Sequence, residues 1–149
     1  MFNTEHFTDW LCGYVANKIA DSVKEYTEPL KQLKEDGDSI FELDMKAREQ
    51  EGGGTITDVD RLEEAISDSY GGSGDFSIGI ASYLDTLDVR DICDIIIALG
   101  ATDNWSVLAD EGNSQVDSLA DVAYWALDDY VFENLGTFVA IIRDILLGV

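Results

Sequence analysis

Apolar residues recur at intervals of three and four along nearly the whole chain, a spacing that gathers them on one side of an α-helix but scatters them over both faces of a strand. Phe7, Trp10, Leu11, Tyr14, Val15, Ile19, Val23 and Tyr26 make the first such stripe and predict one long helix, ended by Pro29. Proline suits a first turn, so a short second helix is expected from Pro29 to about Glu35, with Gly37 as its stop. Asp38 or Ser39 can cap a third helix that carries Ile40, Phe41, Leu43, Met45 and Ala47 and fades into Gly52, Gly53 and Gly54.

Thr57, with Asp60 at the third helical position, is a capping arrangement ahead of Leu62, Ala65, Ile66 and Tyr70, and predicts a fourth helix. Beyond Gly71, Gly72, Ser73 and Gly74, the run Phe76, Ile78, Ile80, Tyr83, Leu84 and Leu87 fits strand alternation as well as helix spacing, with helix favoured for its second half. Asp88 can cap a helix whose buried face is Val89, Ile92, Ile95, Ile96 and Leu99, closed by Gly100. Trp105, Val107 and Leu108 suggest a short helical turn. Leu119, Val122, Ala123, Ala126, Leu127, Tyr130, Val131, Phe138, Ile141, Ile142, Ile145 and Leu146 then form a long helical pattern, with a kink or break expected around Gly136. The expected fold class is all-α: a compact single-domain bundle of six to eight helices over residues 1–149, with glycine-rich breaks near 52–54 and 71–74.

Charge is the other constraint. The chain holds 31 acids against 9 bases, a net charge of −22, which opposes compactness and has to be offset by burial. Its 46% apolar content, with three Trp, six Tyr and six Phe, separates it from disordered acidic chains. The opening Asn3, Thr4, Glu5 and His6 do not resemble a signal peptide, and Arg143 and Asp144 interrupt the apolar C-terminal segment, so a soluble, cytoplasmic protein is expected. Cys12 and Cys93 lie too far apart in sequence for a disulfide framework or a metal knuckle and read as buried thiols.

Few residues suggest chemistry. A single histidine, His6, near the terminus, reads as structural, and neither cysteine lies in a CxxC pair. The glycine clusters lack the Lys and Ser or Thr of a phosphate-binding loop. Calcium-loop spacing fails from Asp36, which puts Ile40 at the fifth position, and from Asp58, which puts Leu62 there. No catalytic residue, cofactor or metal is therefore expected.

The acids are unevenly placed. Residues 1–61 carry 14 acids and 7 bases, whereas residues 62–149 carry 17 acids and only Arg90 and Arg143 as bases. Asp85, Asp88, Asp91 and Asp94, and again Asp117, Asp121, Asp128 and Asp129, fall at steps that helices can align; Asp103, Asp110 and Glu111 lie between the two groups. Duplex DNA bears one charge per about 1.7 Å of axis, and two acidic helices side by side, with steps of about 4.5 to 6 Å along each, approach that density. These eleven carboxylates are the candidate partner-binding surface.

In its size, acidity and lack of catalytic residues the chain resembles the small acidic DNA-mimic proteins that phages use against restriction enzymes and CRISPR effectors. The resemblance is compositional and carries over no binding site. It implies a non-enzymatic inhibitor that occupies the basic groove of a CRISPR effector, restriction enzyme or nuclease, with no direct nucleic-acid binding and no membrane partner. Alternatives are an immunity protein against a toxin nuclease, a halophilic protein, an enzyme using His6 beside a buried acid, or an adaptor with an apolar patch around Trp105 and Phe132.

Overall fold

Asn3 starts the first helix: its side-chain oxygen accepts the amide protons of Glu5 at 2.8 Å and His6 at 3.1 Å, satisfying two of the donors that a helix start leaves open. The computed structural model describes residues 2–35, 37–50, 57–71, 74–101 and 115–149, side chains at 50 and 115–118 excepted. Within them run α1 (Thr4–Ile19), α2 (Lys24–Leu33), α3 (Ile40–Gln50), α4 (Asp58–Asp68), α5 (Asp75–Asp85), α6 (Val89–Ala98), α7 (Gln115–Glu133) and α8 (Leu135–Leu147). No strand occurs among the described residues, so the fold is all-α.

The caps form largely where the side chains predict them. Ser39 and Glu42 bond reciprocally ahead of α3, Thr57 and Asp60 form a full capping box on α4, and Asp88 accepts the Asp91 amide at 2.9 Å on α6. Gly37 and Gly100 take the positive φ values, 86° and 71°, expected of residues that stop helices. Gly74 precedes α5 where any Cβ would collide with the Ser69 carbonyl oxygen.

Several boundaries differ from the sequence reading. Pro29 does not end the first stripe; it sits exposed inside α2, where it removes a ladder bond without stopping the helix. The stripe divides instead at residues 20–23, where the Ser22 hydroxyl donates to the Ile19 carbonyl at 2.8 Å and competes with the helical ladder. The C-terminal break expected around Gly136 is present and centred on Asn134: the Asn134 amide side chain donates to the Tyr130 carbonyl at 2.8 Å, closing α7, and Gly136 lies inside α8. The segment from Phe76 is helical throughout its first half as well as its second. The break near 52–54 and the turn around Trp105 lie outside the described residues.

One hydrophobic core draws side chains from every helix. At its centre the Phe138 ring meets Phe7, Phe76 and Tyr130 at centroid separations of 6.3, 6.4 and 6.2 Å, all edge-on. Three Phe side chains, Phe7, Phe76 and Phe138, are fully buried, each worth roughly 1.5–3 kcal/mol of transfer free energy. Around them α1 packs on α5 and α8, α4 on α2 and α8, and α7 on α5 and α6. Gly79 of α5 permits the close approach of α1, since a Cβ there would come within 2.7 Å of Leu11 Cδ1 and 2.8 Å of Tyr14 Cδ1. Val89 and Ile145, expected inside, are exposed, as are Phe41, Met45 and Ile78 of the apolar pattern, because α3, α5, α6 and α8 each bury only the narrower stripe facing a neighbour.

Candidate functional site

The packing of α6 on α7 decides where the candidate acids lie. Ile92, Ile95 and Ile96 turn one side of α6 into the core, as Val122, Ala123, Leu127 and Val131 do for α7, leaving the remaining sides of both helices for polar groups. Asp88, Asp91 and Asp94 line one shallow depression on α6, with Arg90 among them. Asp121 and Asp129 are exposed and Asp128 half-buried on α7, while Asp85 ends α5, exposed. Asp117 lies in α7 by its backbone, and Asp103, Asp110 and Glu111 fall outside the described residues.

On the outer side of α7 the acids alternate with aromatic rings. Asp121, Trp125, Asp128 and Phe132 follow at steps of four, three and four, which places all four on one stripe. Trp125 is 61% exposed and Phe132 65%, so both rings stand in solvent. The Phe132 ring leans on Tyr70 at 6.0 Å, and the Tyr70 hydroxyl donates to the Asp128 carbonyl at 3.4 Å, fixing this part of the stripe to the end of α4. Burial, and secondarily the Asp128 charge, push the Tyr70 phenol up to about 12.

Beside the stripe, Asp129 and Glu133 border a cleft of about 310 Å³ whose other wall is Leu99, Gly100 and Ala101 at the C-terminal end of α6. A helix C-terminus carries partial negative charge, so it adds to the two carboxylates and favours a cation.

Arg90 apart, five bases pair with acids outside this surface. Lys24 pairs with Asp21, Lys46 with Asp38 and Glu35, Arg48 with Asp44 and Asp60, and Arg61 with Asp58. Arg143, whose side chain is 15% exposed, is held by Glu63 at 3.2 Å and Asp144 at 2.9 Å. Asp85, Asp121 and Asp129 enter none of these pairs. The Lys46 ammonium lowers the Asp38 carboxyl, and Asp38 in turn raises Lys46.

Cys12, Cys93 and His6 are the other chemistry-bearing groups. Cys12 is fully buried, its thiol 3.8 Å from the Phe138 carbonyl, and burial followed by the nearby Asp9 charge pushes its pKa up to about 12, which leaves it an unreactive thiol. Cys93 is half-buried rather than buried. His6 is exposed with its ring 6.5 Å from that of Tyr83. Among the described residues no group of three or more His, Cys, Asp or Glu is arranged to hold a metal ion, and no helix is long and apolar enough to cross a membrane.

Comparison with known protein families, with curated proteins and with solved structures finds no match to this chain. The surface therefore has to be read from its own chemistry. Sequence reasoning singled out Phe132 and the acids of α7 but missed Trp125 and Glu133. The seven-residue step from Trp125 to Phe132, parallel to that from Asp121 to Asp128, is the signal that pairs them.

Proposed function

We propose that the protein is a non-enzymatic inhibitor that presents an acidic, nucleic-acid-mimicking surface to a basic DNA- or RNA-binding enzyme, of the anti-CRISPR or antirestriction kind, and blocks its nucleic-acid groove. The observation that carries this reading is α7: five acids, Asp117, Asp121, Asp128, Asp129 and Glu133, and no Lys or Arg, beside a second helix bearing Asp91 and Asp94. A helix exposed only to water gains from mixed-sign pairs at three- and four-residue spacing, and α7 forgoes them. Single-sign fields of this kind speed encounter with an oppositely charged partner and reject nucleic acid itself.

The test is competition. A candidate enzyme is titrated with the protein while its affinity for labelled nucleic acid is followed at low and high salt. Displacement that weakens as salt rises, and that disappears when Asp117, Asp121, Asp128 and Asp129 are changed to Lys in a folded variant, is the expected result. Capture of partners from host lysate that contains no nucleic-acid-binding protein, or displacement indifferent to salt, overturns the reading.

A second reading, an adaptor that binds through an apolar patch, is favoured by the exposure of Trp125 and Phe132. It predicts binding that survives high salt and is lost on removing the rings.

A further inference from the structure

The stripe on α7 is not a plain ladder of charges. Asp121 and Asp128 are seven residues apart, which at ~1.5 Å per residue separates them by roughly 10 Å along the helix, several times the phosphate spacing of a nucleic-acid strand. The gap between them is filled by Trp125, and the next by Phe132. Two exposed aromatic rings within an acidic field are costly in water alone and gain most from a partner that is both cationic and flat. A guanidinium meets both demands, stacking on a ring face while its N–H groups bond a neighbouring carboxylate in parallel; a lysine ammonium bonds the carboxylate but stacks poorly.

We infer that the Trp125–Phe132 stripe of α7 is the docking surface for an arginine-bearing protein segment, whose guanidinium groups stack on the two rings and pair with Asp121, Asp128 and Asp129. The cleft beside it extends the same recognition: a further cationic side chain reaches Asp129 and Glu133 at the negative end of α6. The inference rests on the acidic-surface reading and specifies it: affinity comes from arginine stacking, and the partner is selected for Arg over Lys.

The test uses the full chain with octaarginine and octalysine peptides as probes, titrated by calorimetry at about 0.15 M salt, near a Debye length of ~8 Å. A double variant, Trp125→Leu with Phe132→Leu, keeps apolar bulk at two exposed positions and removes the ring faces; its fold is checked by circular dichroism. Octaarginine is expected to bind the native chain more tightly than octalysine, and the double variant to lose roughly 5- to 30-fold of octaarginine affinity while octalysine changes little, consistent with two exposed cation–π contacts. An Arg-over-Lys ratio unchanged in the double variant overturns the inference. A second variant, Asp121→Asn with Asp128→Asn and Asp129→Asn, separates the two levels. If it weakens both peptides while the rings prove irrelevant, the acidic surface stands and the stacking falls; if the native chain binds neither peptide, both fall together.

Discussion

Thr57 joins two helices through one hydroxyl, and Thr57→Val measures what that hydroxyl contributes. The side chain is fully buried. Its Oγ1 accepts the Asp60 amide at 3.3 Å as the cap of α4, and lies 3.1 Å from Asp44 Oδ1 of α3 and 3.3 Å from Asp60 Oδ2, to which it can donate its single proton. The Asp60 carboxylate reaches back to the Thr57 amide at 3.0 Å, and Arg48 sits against both acids. Valine keeps the shape and deletes every hydroxyl bond. Loss of a cap costs about 1 kcal/mol, and loss of a hydrogen bond to a charged group about 1.5–3 kcal/mol. Arg48 continues to compensate the two carboxylates, so the expected total lies near the lower end, about 2–3 kcal/mol.

Equilibrium urea unfolding followed by far-ultraviolet circular dichroism reads this directly. With a slope of roughly 2 kcal/mol/M for a chain of this size, the midpoint falls by about 1–1.5 M with the slope unchanged. Thr57→Ser, which keeps the hydroxyl and gives up one methyl, should cost only about 1 kcal/mol. A Val variant within ~0.5 kcal/mol of the native protein, or a Ser variant less stable than the Val variant, refutes the reasoning that the hydroxyl network, rather than the fit of the side chain, ties α3 to α4.

Gly79→Val pushes a side chain into Leu11 and Tyr14 and is expected to destabilise by about 1–3 kcal/mol, lowering Tm by several degrees in a thermal melt. The raised values of Cys12 and Tyr70, both about 12 against ordinary values of 9.0 and 10.0, mean that the folded chain holds protons the unfolded chain releases. Their stabilising contribution is complete below about pH 9 and is lost toward pH 12, so Tm should fall across that window, and Cys12→Ala should flatten the fall. Added salt screens the repulsion of a net charge of −22, so Tm should rise between 0.02 and 0.5 M sodium chloride with the chain already folded at the lower value; a chain unfolded there would be a halophilic protein. Asp121→Asn with Asp129→Asn should leave urea stability unchanged or raise it by up to about 1 kcal/mol, whereas Asp44→Asn should lower it.

The helix starts were legible because a cap is a local event: Thr57 and Asp60, or Asp88 and Asp91, need only each other and the backbone between them. The break at residues 20–23 was not, because a side chain that turns back on its own helix leaves no mark on the apolar pattern, whereas the C-terminal break was expected within two residues of Asn134. Pro29 misled for a related reason: six residues into α2 it costs one ladder bond, which tertiary packing through Thr27 and Leu30 outweighs. The exposure of Phe41 and Met45 was not legible because period alone does not give the width of a buried stripe; that width depends on which neighbours α3 meets, and among the described residues it packs chiefly on α2 and α4. At the site, the acids of α7 were legible from spacing. Of the rings among them Phe132 was legible as a candidate apolar patch and Trp125 was not, since an aromatic at helical spacing reads as core until its neighbours are known.

The acids thus fall into two populations, and the division explains why the charge is uneven. Asp38, Asp44, Asp58 and Asp60 all precede or adjoin Arg61; they cap helices or pair with Lys46, Arg48 and Arg61, so these three bases are found where acids have structural tasks. Asp121 and Asp129 have no such task in α7, and each stands four residues from another acid, Asp117 and Glu133, so like-charge repulsion works against the fold. A chain under selection for stability alone would place a Lys four residues from one of them at negligible steric cost, because the positions are exposed. Its absence, next to two solvent-facing rings, is what the proposed arginine-bearing partner would account for, and on that proposal the same substitutions that leave the isolated protein at least as stable should be the ones that abolish binding.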